Sequence, residues 1–132
     1  MLDLQKYHDE AIANHLQQQQ ELDDLLPIIE DAGALIVEKM ALFNHYNRQV
    51  RAEVTQNKEN IGLRVIISKI APKRVDMAWL KASYKMSDGR LSILTHKLIC
   101  RDTRADPEEI ARHFVTRHQK RIEAYFRRAL FC

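Results

Sequence analysis

Apolar positions along this chain change rhythm twice. They recur at helical spacing through the N-terminal third, alternate between residues 61 and 100, and return to helical spacing after residue 106. Residues 3–23 carry Leu4, Tyr7, Ala11, Leu16 and Leu22 among strong helix formers, with Gln17 to Gln20 on a solvated face. Asp23 and Asp24 ahead of Pro27 predict that this helix stops and a second one starts, because Pro suits a first helical turn and not an interior. The second helix is predicted to run to about Gln56, since Ile29, Ile36, Phe43 and Val50 recur every seven residues. Ala32 and Gly33 would let another backbone come close. This stripe either packs on the chain's own sheet or forms a homodimer seam of Ile29, Ile36, Met40, Phe43 and Val50.

Asn57-Lys58-Glu59-Asn60 ends the helical pattern, and three strands are predicted after it: Ile61 to Ile70, Val75 to Lys85, and Arg90 to Cys100. Ser87-Asp88-Gly89 joins the last two, with Gly89 supplying the positive φ of a three-residue hairpin loop. That loop sets a register with Ala82 opposite Leu94, Leu80 opposite His96 and Ala78 opposite Leu98. These residues, with Leu63, Val65 and Ile67, form a face for the helices to cover. Arg64, Ser68, Trp79, Lys81, Ser83, Lys85, Thr95 and Lys97 fall on the other face, which is basic.

The last helix announces itself: Asp106 is an N-cap, Pro107 occupies the first helical position, and Glu108 and Glu109 suit the positive end of the dipole. Ile110, Ala111, Phe114, Val115, Ile122, Tyr125, Phe126 and Ala129 give it an apolar side, edged by Arg117, Arg121 and Arg128. The predicted fold is therefore α+β in the order α-α-β-β-β-α. Residues 1–24 form a helical extension, and residues 25–132 form one domain of helix, three-stranded meander and helix.

Composition agrees with a single domain. The chain has 132 residues, 45% of them hydrophobic, and only three Gly and three Pro, which leaves little room for irregular linkers. Two cysteines, Cys100 and Cys132, supply no disulfide framework. The N-terminus lacks the pattern of a secretory signal, and no apolar stretch approaches membrane-span length. A cytoplasmic protein without a membrane partner is the expectation.

Charge adds the functional clue. Residues 1–60 hold eleven Asp/Glu against five Lys/Arg, a net −6, whereas residues 61–132 hold sixteen Lys/Arg against seven Asp/Glu, a net +9. Such asymmetry points the basic half towards a polyanion or an acidic partner. Trp79 beside lysines can stack on a base while ammonium groups meet phosphates. The candidate contacts are Arg64, Trp79, Lys81, Lys85, Lys97, Arg101 and Arg104, the last two in the loop before the final helix, with Arg117, Arg121 and Arg128 in support. No catalytic, metal or cofactor motif accompanies them. His113 and His118 are five apart, on different helix faces, and His8 and His15 have no thiolate or carboxylate at ligand spacing. The chain is expected to be non-enzymatic, with no cofactor.

Three families share parts of this layout. The helix–three strands–helix order resembles the double-stranded-RNA-binding domain, but Asp106, Pro107, Glu108 and Glu109 stand where that family needs a lysine cluster, which excludes it. Type III secretion chaperones also open with a helix and three strands, yet are acidic and have further strands for which this chain has no room. Ile36-Val37-Glu38-Lys39, Asn44-His45-Tyr46-Asn47-Arg48, Ala78-Trp79-Leu80-Lys81, His96-Lys97-Leu98 and the helix Glu109 to Arg128 resemble the MobI-type auxiliary mobilisation proteins of conjugative elements, over roughly residues 25–130. That resemblance implies an accessory, DNA-binding role at a transfer origin, assisting a relaxase. The alternative is a protein-interaction module, a chaperone or adaptor that holds an acidic protein on the basic face.

Overall fold

A computed structural model describes residues 2–87, 90–94, 99–103 and 105–131. The fold is α+β. Helix α1 (Leu4–Lys39) is followed by a 3₁₀ helix (Ala41–Tyr46), and strands β1 (Arg48–Gln56), β2 (Ile61–Lys69), β3 (Val75–Ser87), β4 (Arg90–Leu94) and β5 (Ile99–Thr103) precede helix α2 (Pro107–Phe131). Among the described residues the strands form one antiparallel sheet in sequential order. Five strands thus replace the expected three.

Helix α1 does not break at Pro27. Its buried stripe of Leu22, Leu25, Ile29, Ala32 and Ile36 passes on both sides of the proline, which sits exposed on the far side. A proline inside a helix costs about 3 kcal/mol; burying Leu25 and Ile29 on either side, about 1.5–3 kcal/mol each, offsets it. Residues 2–20 are exposed, so burial begins at Leu22 and not at a break in the helix.

The second correction concerns residues 40–56. The seven-residue spacing of Ile29, Ile36, Phe43 and Val50 spans three different elements: α1, the 3₁₀ helix and β1. Together with Met40, these residues are 0–7% exposed within the chain's own core and do not lie along one helix. The helical run ends at Asn47, whose left-handed φ of 58° suits Asn better than most residues. Its side chain then fixes the β2–β3 connection: Nδ2 donates to the Ala71 carbonyl at 2.7 Å, and Oδ1 accepts from the Ala71 N–H at 3.0 Å. Beyond it, Val50, Ala52 and Val54 alternate with Arg51, Glu53 and Thr55, which is strand spacing.

The hairpin register also shifts by one. Ser87 pairs with Arg90 and Ser83 with Leu94, which leaves a two-residue connection, Asp88-Gly89, in place of three. Leu91 and Ile93 therefore take the covered face beside Met86 and Tyr84. Thr95, His96, Lys97 and Leu98 lie outside the described residues, as does Gly89.

Helix α1 packs on the covered face with Gly33 over the sheet. A Cβ at Gly33 would stand 3.1 Å from the Ala52 Cβ and 3.3 Å from Leu63 Cδ1. Helix α2 packs against α1, and Phe126 meets Phe43 edge-on at 5.0 Å. It begins as its sequence requires: Asp106 Oδ1 accepts from the Glu108 N–H at 3.2 Å. No helix among the described residues is long and apolar enough to cross a membrane. Gly33→Leu should destabilise the fold by about 1–3 kcal/mol through overpacking. Gly33→Ala should change it by less than about 1 kcal/mol, because the gain in helix propensity opposes a small clash. Urea-denaturation midpoints of the two variants test this order.

Candidate nucleic-acid interface

Both helices lie on one side, so the other side of the sheet is open, and strand register arranges it in rows. Gln49, Ser68 and Asp76 make the first; Arg51, Ile66 and Trp79 the second; Glu53, Arg64 and Lys81 the third; Thr55, Gly62 and Ser83 the fourth. Lys85 and Ser92 continue it towards the β3–β4 hairpin.

A bulge builds the acidic end of this face. Ile67 faces Ala78 but Ser68 faces Asp76, so Met77 is the extra residue. Without it, strict alternation would turn Asp76 to the covered side. Instead Ser68, fully buried, donates its hydroxyl to Asp76 Oδ1 at 2.6 Å and accepts from Arg51 at 2.9 Å. Arg51 also holds Asp76 through two hydrogen bonds of 3.2 and 3.3 Å. The Ser68 hydroxyl first, then the Arg51 guanidinium, keep the Asp76 carboxyl below its ordinary range. Glu53 is likewise held down, mainly by Arg64 and less by Arg51.

This network changes the role expected of Arg64. Its guanidinium, on a side chain 43% exposed, is matched to Glu53 on the neighbouring strand, so a phosphate would have to share it with that carboxylate. Sequence reading placed Ser68 on this face but missed Arg51, Glu53 and Asp76. The readable signal was the strand-like alternation of residues 50–55, obscured by the seven-residue coincidence.

Trp79 stands in the middle of the open face with 43% of its surface exposed. Its cross-strand neighbour Ile66 is only 1% exposed, although it lies on the same face between Arg51 and Trp79. Lys81, one row on, is exposed, and no ion-pair partner for it is found among the described residues. Lys85 is half-buried.

Part of the α2 arginine edge reaches this region through a histidine. The described β3–β4 pairing ends at Ser83 and Leu94, so the Lys81 carbonyl lies beyond it. His118 Nε2 lies 3.2 Å from that oxygen and donates to it when it carries the proton. Arg117 and Arg121, both exposed, flank His118 on the helix. Arg128 does not join them. It lies ten residues beyond His118, about 15 Å along the helix, with its guanidinium 5.2 Å from the Tyr125 ring centre. Arg101 stands in β5, not in a loop, and its side chain is outside those described; Arg104 and Lys97 lie outside the described residues altogether. Among the described residues, no group of three or more His, Cys, Asp or Glu is arranged to hold a metal ion.

No protein-family model matches the chain, and comparison with curated proteins and with solved structures returns no significant match.

Burial lowers the proton affinity of His118, the Lys81 carbonyl partly opposes this, and Arg117 and Arg121 lower it further. The unfolded chain thus binds this proton more readily than the folded one. The stability His118 contributes is present above its ordinary pKa of about 6.5 and is lost as pH falls below it. Thermal midpoints should drop between pH 7 and pH 5, and should drop less in His118→Gln. Equal slopes in both proteins would show that His118 carries none of the effect.

Proposed function

We propose that the chain is a non-enzymatic nucleic-acid-binding accessory protein that uses the open sheet face. The observation that carries this reading is Trp79: an indole left exposed at the centre of a face where Lys81 is the next residue along the strand on that side. An exposed indole favours a ligand with planar rings, and an adjacent ammonium favours phosphate. Arg117 and Arg121, held near β3 by His118, extend the positive field beyond the sheet. Stacking needs an unpaired base, so single-stranded nucleic acid suits the site better than an intact duplex. The resemblance to auxiliary mobilisation proteins adds DNA as the polymer and processing at a transfer origin as the setting.

One observation favours a second reading, an adaptor holding an acidic protein on this face. Arg51 and Arg64 are already matched to Asp76 and Glu53, so the cations without an ion-pair partner among the described residues of the face, such as Lys81, stand apart from one another.

Trp79 is the chain's single tryptophan, so its fluorescence reports on the site directly. Titration with single-stranded DNA should quench it. Affinity should fall steeply between 50 and 200 mM salt, as counterion release requires. Trp79→Ala should weaken binding by roughly 5- to 150-fold, since stacking contributes about 1–3 kcal/mol per base. Lys81→Glu should also weaken it, and Arg64→Ala much less. Unquenched fluorescence with salt-independent affinity would exclude the nucleic-acid reading. Binding of poly-glutamate in preference to DNA would establish the second.

A further inference from the structure

Strand β1 is an edge of the sheet, and although Arg48 is buried at its start, the rest of it lacks the bulge, proline or lysine that commonly keeps sheet edges apart. Its nine residues pair with β2 in unbroken register. The opposite edge, β5, is five residues long, and its pairing with β4 shifts register. Beside the free side of β1 lies a groove of about 830 Å³, lined by Leu26, Glu30, Ala34 and Val37 of α1 and by Val50, Ala52 and Val54 of β1. A strand laid in this groove would complete the backbone hydrogen bonds of β1 and cover the apolar side of α1 above it.

The sequence of β1 selects its occupant. Around Ala52 it reads Val50-Arg51-Ala52-Glu53-Val54, which is its own complement when reversed. Laid antiparallel against a second copy with Ala52 opposite the partner's Ala52, Arg51 falls opposite the partner's Glu53, and Glu53 opposite the partner's Arg51. Val50 and Val54 meet the partner's Val54 and Val50 in the same way. Two opposite-charge pairs then form on the open face and two valine pairs on the covered face, both being favourable cross-strand neighbours. A one-residue slip would place side chains on the wrong faces, and a two-residue slip would separate the charges. Helix α1 leaves room for this arrangement: Gly33 sits over Ala52, and the next residue, exposed Ala34, presents only a methyl group beside the axis.

We propose that two copies of the chain join β1 to β1 in this register, about a two-fold axis through Ala52, into one continuous sheet. The pairing is isologous, as a two-fold requires, and does not depend on what the open face binds. It differs from a helical seam through Ile29, Ile36, Met40, Phe43 and Val50: the first four are buried within one chain, and Val50 takes part here as a strand residue beside the groove.

Sedimentation equilibrium of the full chain tests this. Across micromolar concentrations the wild type should sediment at twice its 15.5 kDa chain mass. Ala34→Arg changes an exposed helical residue, so it should keep the wild-type circular dichroism and sediment as a monomer. Arg51→Glu and Glu53→Arg each put like charges opposite one another in a homodimer, and each should be monomeric alone. Mixed in equal amounts, they should dimerise, because every pair then regains opposite signs. A monomeric wild type, or an Ala34→Arg variant that stays dimeric, overturns the proposal. So does a mixture of the two charge variants that remains monomeric while both are folded.

Discussion

The close approach of α1 to the sheet at Gly33 sets the rest of the architecture. With its missing Cβ over Ala52 and Leu63, the helix lies flat across β1 and β2 and buries Leu25, Ile29, Ala32 and Ile36 in one stripe. That stripe carries the helix through Pro27. It also fills the space that other elements would need on this side, so α2 packs beside α1 and touches the sheet at His118. Both helices share one face, and the other remains in solvent.

An open sheet face must keep itself soluble, and here it does so mostly by internal pairing. Arg51, Arg64, Glu53 and Asp76 satisfy one another across three strands, with the bulge at Met77 bringing Asp76 to the right side. Exposed pairs of this kind add little stability. Their larger effect is to remove most of the net charge from that part of the face. Among the described residues of that face, Lys81 next to Trp79 and Lys85 further along β3 have no ion-pair partner, so positive charge stays beside an exposed aromatic ring.

Much of this was legible in the amino-acid sequence because local chemistry and final structure agree. Asp106-Pro107 starts a helix with its own side chain and ring, and β2 and β3 fall where alternation places them. Reading failed where two periods coincide. Phe43 and Val50 sit at helical spacing from Ile36, yet residues 48–56 alternate, and the left-handed Asn47 lies between. It failed again at the β3–β4 hairpin, where one residue of loop length inverts every face of the following strand. Of the candidate site, Trp79 and Lys81 were visible because alternation along β3 sorts its residues unambiguously. The ion pairs were not, because Arg51 and Asp76 are distant in sequence and meet only through a bulge. His118 was invisible for a related reason: its partner is a backbone carbonyl.

The uneven cover of α1 also divides one helix into two thermodynamic regimes. From Leu22 onward the helix is backed by tertiary packing, which couples the opening of its hydrogen bonds to that of the core. From Leu4 to Gln20 the same backbone geometry rests on local terms: the Asp3 cap and side-chain pairs such as Gln5 with Asp9 and Gln19 with Asp23. An isolated helix of that length is marginal in water. A single continuous rod therefore joins a segment held by local terms to a segment held by the core, and the boundary lies at the first leucine the core buries.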